Sequence, residues 1–181
     1  GASGSLGHAA VKKFIEGGYF VIGTVISDDP VNINFPSSSF EKVVVDLLNE
    51  DDSQKFVDTV ISKHGRIDVV ILTVGGFAAG NIAETKTSDI NRQYKLNFET
   101  AYNIARPAFV QMKRQSQGRL FIIGSRPGLD ARNGKGMVAY GLAKSLLFRL
   151  ADILNDEAAG KDIVTSVVIP STIDTSSNRK A

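Results

Sequence analysis

Tyr140 and Lys144 stand four residues apart in Met137-Val138-Ala139-Tyr140-Gly141-Leu142-Ala143-Lys144, at the head of an apolar run through Leu154. On a helix that spacing puts both side chains on one face, about one turn from each other. A phenol with an ordinary pKa near about 10 is a poor proton donor or acceptor at neutral pH. A fixed ammonium beside it favours the phenolate, the requirement for general acid–base chemistry. Ser125 lies fifteen residues upstream in Gly124-Ser125-Arg126-Pro127-Gly128. At the other end, Gly1-Ala2-Ser3-Gly4-Ser5-Leu6-Gly7 reads G-x-x-G-x-x-G ahead of a helical pattern. Glycines there let backbone N–H groups and the helix dipole face a pyrophosphate. Each feature also has an ordinary structural reading: a surface Tyr/Lys pair, a flexible Gly/Ser-rich start, and a turn serine before Pro127. Likewise Asn97 reads as a solvated mid-helix residue and Asp46 as the cap of a turn.

The elements that would position these residues follow from hydrophobic periodicity. A helix runs from Ala9 to Gly17-Gly18, and Tyr19–Ile26 is a short β-branched strand. Ser27–Ser39 is loop, and Val43–Asp46 is a buried strand ending in a carboxylate. An amphipathic helix over 51–64 closes at Gly65, and Val69–Val74 is a strand running into Gly75-Gly76-Phe77-Ala78-Ala79-Gly80. A long helix spans about 87–114, with Pro107 kinking or tightening it. Leu120–Ile123 is a strand, the Tyr140 helix covers about 138–158, and Ile163–Ile169 is the last strand, closed by Pro170. Continuous apolar strands alternating with helices predict a doubly wound, Rossmann-type parallel β-sheet with helices on both faces. Its ligand crevice lies at the carboxyl ends of the strands. The glycine loop, Asp46, the Gly75-Gly76 turn, Ser125 and Pro170–Thr175 all fall there in this reading. The 181 residues read as one domain. A strand preceding Gly1 and a C-terminal substrate lid beyond Ala181 are expected and lie outside the sequence.

Composition excludes several classes. The charged fraction of 22% and net charge of +2 imply neither a nucleic-acid nor a membrane partner. No apolar run approaches transmembrane length, and no signal-peptide pattern opens the chain. With no cysteine and only His8 and His64, no metal site is expected. Both histidines read as surface residues at helix ends, and neither has partners for a Ser-His-Asp triad. A cytoplasmic protein is the expectation.

The order of these motifs resembles the short-chain dehydrogenase/reductase family along the whole chain: glycine loop, strand-end Asp46, Asn97, Ser125, Tyr140-x-x-x-Lys144 and the Pro170…Thr175 closing segment. Within the family the chain is most similar to dihydropteridine reductase, which reduces quinonoid dihydrobiopterin with NADH. The similar stretches are the glycine loop, Thr73–Asn81, Met137–Lys144 and Ile173–Lys180. The resemblance implies that Tyr140 donates a proton as hydride arrives. Lys144 would depress the Tyr140 pKa and bind the nicotinamide ribose, Ser125 would hold the substrate oxygen, and Asn97 would support a water chain feeding Lys144. It also implies a cofactor, NAD or NADP, held by Gly1, Ser3, Gly4, Ser5, Leu6, Gly7, Asp46, Leu47, Gly75, Gly76, Pro170, Thr172, Ile173 and Thr175. Of these, the glycines pass the pyrophosphate, Asp46 meets the adenine edge and Thr175 the carboxamide.

Two departures divide the reading. Thr73-Val74-Gly75-Gly76 replaces the family's usual Asn-Asn-Ala-Gly and favours the pteridine-reductase subgroup. Ser125 and Asn97 depart from that subgroup's familiar animal members and favour a carbonyl or alcohol substrate. A third reading, from another class, is a non-catalytic nucleotide-sensing module. The position expected to carry an acidic residue after the second strand is Val25, so Asp28 or Asp29 would have to reach a ribose 2′-hydroxyl. No arginine sits nearby for a 2′-phosphate, which leans toward NADH. The resemblance further implies a homodimer or homotetramer. The helices over 87–114 and 138–158 carry apolar residues beyond one stripe: Ala101, Ile104, Ala108, Phe109, Leu146, Leu147, Leu150 and Ala151.

Overall fold

The computed structural model describes residues 1–26, 35–175 and 178–179, which form two compact units, Gly1–Asp46 and Leu47–Ala181. Asp28 and Asp29 lie outside the described residues, as do Ser176, Ser177 and Lys180 of the closing stretch.

In the first unit α1 (Ser5–Glu16) begins inside the glycine motif, earlier than the periodicity suggests. Its last turn is closed by the Gly17 and Gly18 N–H groups, which return to the Lys13 and Ile15 carbonyls. Strands β1 (Val21–Val25) and β2 (Phe40–Val44) pair in parallel, with Val21 opposite Phe40 and Val25 opposite Val44. Ala2, Val11, Val25 and Phe40 make a small buried core, with Ile15, Val21 and Phe35 packed against it.

The second unit contains α2 (Glu50–His64), β3 (Val69–Leu72), α3 (Thr87–Tyr94), α4 (Thr100–Gln115), β4 (Gln117–Ile123), α5 (Arg126–Leu129), α6 (Val138–Glu157) and β5 (Asp162–Val168). Its strands are parallel, in the order β3-β4-β5. The Asn49 side chain caps α2 by accepting from the Asp52 N–H. Glu50, Asp51 and Asp52 crowd the first turn of α2 while Lys63 and His64 occupy its last, each sign matching the helix dipole. Along β4, Gly118, Leu120 and Ile122 are buried in alternation, as a pleated strand with one covered face requires. Leu120 and Ile122 pack with Ile104, Ala105, Phe109 and Met112 of α4 and with Leu147, Leu150 and Leu154 of α6.

The long helix predicted over 87–114 is not continuous. Between α3 and α4, Lys95–Glu99 is a π turn, and it holds Asn97. Pro107 lies buried within α4, and the departure from α-helical geometry falls at Asn97 instead. The apolar excess that suggests subunit pairing has another use as well. Ala101, Ile104, Ala108, Phe109, Leu147, Leu150 and Ala151 are buried within the chain, and of that group Leu146 alone is exposed. The core draws from several sides of these helices because α2, β3 and β4 pack on α4, and β5, α3 and α5 pack on α6. The exposed apolar residues on α4 and α6 are Tyr102, Val110, Leu142, Leu146 and Ile153.

One side chain acts as a strand would. The Asn155 amide of α6 donates to the Thr165 carbonyl at 2.9 Å and accepts the Thr165 N–H at 2.8 Å, satisfying both backbone groups of that β5 residue. Among the described residues no helix is long and apolar enough to cross a membrane.

Candidate active site

α6 carries Lys144 into the interior of the second unit, where it is only 5% exposed. Its Nζ donates to the Ile123 carbonyl at the end of β4, 2.7 Å away. Burial pushes its pKa down to about 8, because the ammonium sheds most of its hydration on entering the fold. Tyr140 sits one turn earlier on the same helix, and Lys144 Nζ lies 6.0 Å from its ring centroid. The two side chains do share a helix face.

Side-chain-free backbone makes room for Lys144. A Cβ added to Gly75 would come within 2.7 Å of Asn97 Oδ1 and 3.3 Å of Lys144 Nζ, and one on Gly128 would lie 2.7 Å from the Lys144 backbone. Ordinary carbon contacts begin at about 3.5 Å, so neither position accepts a side chain as built. The Gly75-Gly76 turn and α5 thereby close on Lys144 from separate parts of the chain.

Asn97 secures that turn. Its Oδ1 accepts the Gly76 N–H at 3.1 Å, and its Nδ2 donates to the Gly76 carbonyl at 3.0 Å. Nδ2 also donates to Gln93, to Oε1 at 2.8 Å and to the carbonyl at 3.2 Å. An N–H can only donate and a C=O only accept, so Gly76 fixes which way the amide faces. The Asn97 side chain therefore serves the Gly75-Gly76 turn and does not bond Lys144 directly.

Ser125 is buried at the N-cap of α5, where its Oγ accepts the Gly128 N–H at 3.4 Å. The turn-serine role is real, and it leaves the hydroxyl proton for another acceptor. Phe77 meets Tyr140 edge to face, with ring centroids 5.2 Å apart and planes at 74°. The Phe77 side is open, with 65% of the residue exposed. Its loop is tied to the start of α6 by a parallel bridge: the Gly80 N–H donates to the Gly136 carbonyl at 2.8 Å, and the Val138 N–H donates to the Gly80 carbonyl at 3.0 Å.

The closing segment is held by its own bonds. Thr175 Oγ1 accepts the Asn178 N–H at 3.1 Å, the Ile173 carbonyl accepts from Asn178 Nδ2 at 2.8 Å, and Asp174 pairs with Arg179. Pro170 is half-buried and Thr172 exposed in the same stretch. The Leu47 carbonyl accepts from Asn103 Nδ2 at 2.9 Å, while its side chain packs on the larger core.

In the first unit Gly4 is the N-cap of α1 and no side chain caps the helix, whose first residues are Ser5, Leu6 and Gly7. A Cβ on Gly7 would collide with the Gly1 carbonyl, so the turn from Gly1 through Ser3 and Gly4 closes only over a glycine. An uncapped helix N-terminus behind bare backbone is suited to a phosphate group. These residues fit the pyrophosphate of a nicotinamide dinucleotide. Asp46 is exposed just past the end of β2, and Val25 at the end of β1 is buried. Among the described residues, no group of three His, Asp or Glu side chains could hold a metal ion.

Sequence reasoning misses Gln93. The available signal is its spacing of four residues from Asn97, which on a helix stacks two amides.

The family model described as short chain dehydrogenase matches residues 1–181. The chain is 31% identical over 179 residues to the cyclic-di-GMP-binding biofilm dispersal mediator protein of Escherichia coli, covering 98% of this chain and 73% of that one. It is 28% identical over 183 residues to the 3-oxoacyl-[acyl-carrier-protein] reductase FabG of Buchnera aphidicola, covering 99% and 74% respectively. The solved structure of ElxO with NADP bound superposes with a TM-score of 0.88 at 23% identity, over 99% of this chain and 74% of that one. That likeness establishes the fold expected from the patterning, a Rossmann-type α/β fold with parallel strands and helices on both faces. The chain belongs to the short-chain dehydrogenase/reductase family of NAD(P)-dependent oxidoreductases.

Proposed function

We propose that this protein, as a single catalytic domain, reduces a small organic substrate with Tyr140 as the proton donor. The observation that carries the proposal is the placement of the buried Lys144 ammonium 6.0 Å from the Tyr140 ring, with the Gly75-Gly76 turn closed against it. The nicotinamide cofactor supplies the hydride. Gly1, Ser3, Gly4, Ser5, Leu6 and Gly7 hold its pyrophosphate, Asp46 and Leu47 its adenine end, and Gly75, Gly76, Pro170, Thr172, Ile173 and Thr175 its nicotinamide end. Tyr140 passes its hydroxyl proton to the substrate heteroatom that gains charge as hydride arrives. Lys144 favours the phenolate left behind through its positive charge and binds the cofactor ribose. Ser125 offers its remaining hydroxyl proton to the same substrate atom. The absence of an arginine near Asp28 and Asp29 in the sequence supports NADH over NADPH.

Two substrate classes have separate support. The exposed Phe77 ring beside Tyr140 offers a flat apolar surface, which suits a quinonoid dihydropterin. The buried Ser125 hydroxyl suits a carbonyl compound, the class named for FabG of Buchnera. Exposed Tyr102, Val110, Leu142, Leu146 and Ile153 on α4 and α6 support a homodimer or homotetramer paired through these helices. A cytoplasmic enzyme completes the reading.

Tyr140→Phe should lower turnover at least about 100-fold, the usual share of general acid catalysis, while cofactor binding followed by fluorescence stays intact. A variant with full activity overturns the mechanism, and parallel rates with NADH and NADPH decide the cofactor. Ser125→Ala separates the substrate classes when wild type and variant are assayed on quinonoid dihydropterin and on a panel of ketones and aldehydes. A fall of about 100-fold or more is expected for carbonyl reduction, as when an oxyanion donor is removed, and little change for the pterin. Since Lys144 titrates at about 8 and acts as the ammonium, kcat/KM for the cofactor should fall as pH rises through that value. A flat profile to pH 10 would contradict its role. Sedimentation velocity at micromolar concentration should find a dimer or tetramer, and a monomer would refute the pairing.

A further inference from the structure

We infer that Gln93 is a positioning residue, which sets the Asn97 amide and through it the Gly75-Gly76 turn; the inference rests on the active-site reading above. Gln93 is 3% exposed and is the one buried residue of α3. An interior helix position ordinarily takes an apolar side chain, and a buried amide is costly unless it is bonded. Its Oε1 accepts from Asn97 Nδ2 at 2.8 Å, the shortest bond that amide makes. Among the described residues its Nε2 has no partner, so the acceptor oxygen is the working half of the side chain.

The chain of constraint is short. Gln93 Oε1 anchors the Asn97 NH2 group, Asn97 then presents its Oδ1 to the Gly76 N–H, and that bond fixes the turn whose Gly75 lies against Lys144. Without the acceptor at 93, Asn97 Nδ2 keeps the Gly76 and Gln93 backbone carbonyls but loses its closest partner, so the amide, still oriented by Gly76, is held less firmly in place. The turn therefore loosens. It is held alike before and during reaction, so its loss weakens cofactor binding and leaves the chemical step nearly unchanged.

The test compares Gln93→Met, which keeps length and burial but removes the acceptor, with Gln93→Glu, which keeps the acceptor. Gln93→Met should raise KM for the nicotinamide cofactor about tenfold, the factor one lost buried hydrogen bond carries, with kcat within threefold of wild type. Gln93→Glu keeps the acceptor and should show a lower KM than Gln93→Met, short of wild type by the cost of burying a carboxylate. An unchanged KM in Gln93→Met, or a Gln93→Glu variant as impaired as Gln93→Met, overturns the inference. Thermal melts identify a variant that fails to fold. Should Gln93→Met do so, Gln93→Leu takes its place, and a Gln93→Glu KM raised about tenfold or more overturns the inference in either case. Tyr140→Phe assayed alongside separates the two failures: its full activity sinks the active-site reading itself. An inactive Tyr140→Phe beside an unaffected Gln93→Met sinks only the role of Gln93.

Discussion

An ammonium taken out of water into a protein interior is costly unless its surroundings replace part of its hydration. The second unit is shaped by that requirement at Lys144. One carbonyl, that of Ile123, accepts its proton, and the space beside it is bounded by Gly75 on one side and Gly128 on the other. Larger residues at either glycine would push the turn or α5 away and let water reach the amine. The same cost appears in the lowered pKa, which leaves the group able to change charge within one or two units of neutrality. A lysine on the surface of α6 would have the same spacing from Tyr140 and none of this sensitivity.

Backbone groups that no neighbouring strand pairs need partners too, and asparagine amides supply them twice. Asn97 pairs both groups of Gly76, and Asn155 pairs both groups of Thr165. In each case a helix side chain imitates the edge of a neighbouring strand, which pins the backbone there without another element. One of these amides fixes the turn that lies against Lys144, and the other sits on α6, the helix that carries Lys144.

Much of this was legible in the sequence. Continuous apolar strands announced parallel pairing, and the offset of four placed Tyr140 and Lys144 on one face, because both rest on fixed helical and strand periods. The glycine motif reads as room for a pyrophosphate, and in the structure Gly7 also makes room for the chain's own Gly1 carbonyl. What escaped depends on partners distant in sequence. Pro107 carries a general expectation of kinking, yet it lies buried in regular helix, while the irregularity sits at Asn97, whose side chain answers Gly76 twenty-one residues earlier. Seven of the eight apolar residues named on α4 and α6 serve the chain's own core, a use that depends on several neighbours and cannot be read from one helix alone. Gln93 went unnoticed because glutamine is common on solvated helix faces, and only the tertiary environment reveals it as buried.

The π turn at Lys95–Glu99 divides the helix it interrupts into two stretches with different obligations. Before it, α3 commits a single residue, Gln93, to the interior; after it, α4 commits ten. A π turn widens the hydrogen-bond ring by a residue and so breaks the phase of the helical repeat. The side chains that face the Gly75-Gly76 turn are thus no longer locked in register with those that fill the core. The break works as a universal joint: the angle at which Gln93 and Asn97 meet the Gly75-Gly76 turn does not dictate which faces of α4 fill the hydrophobic core.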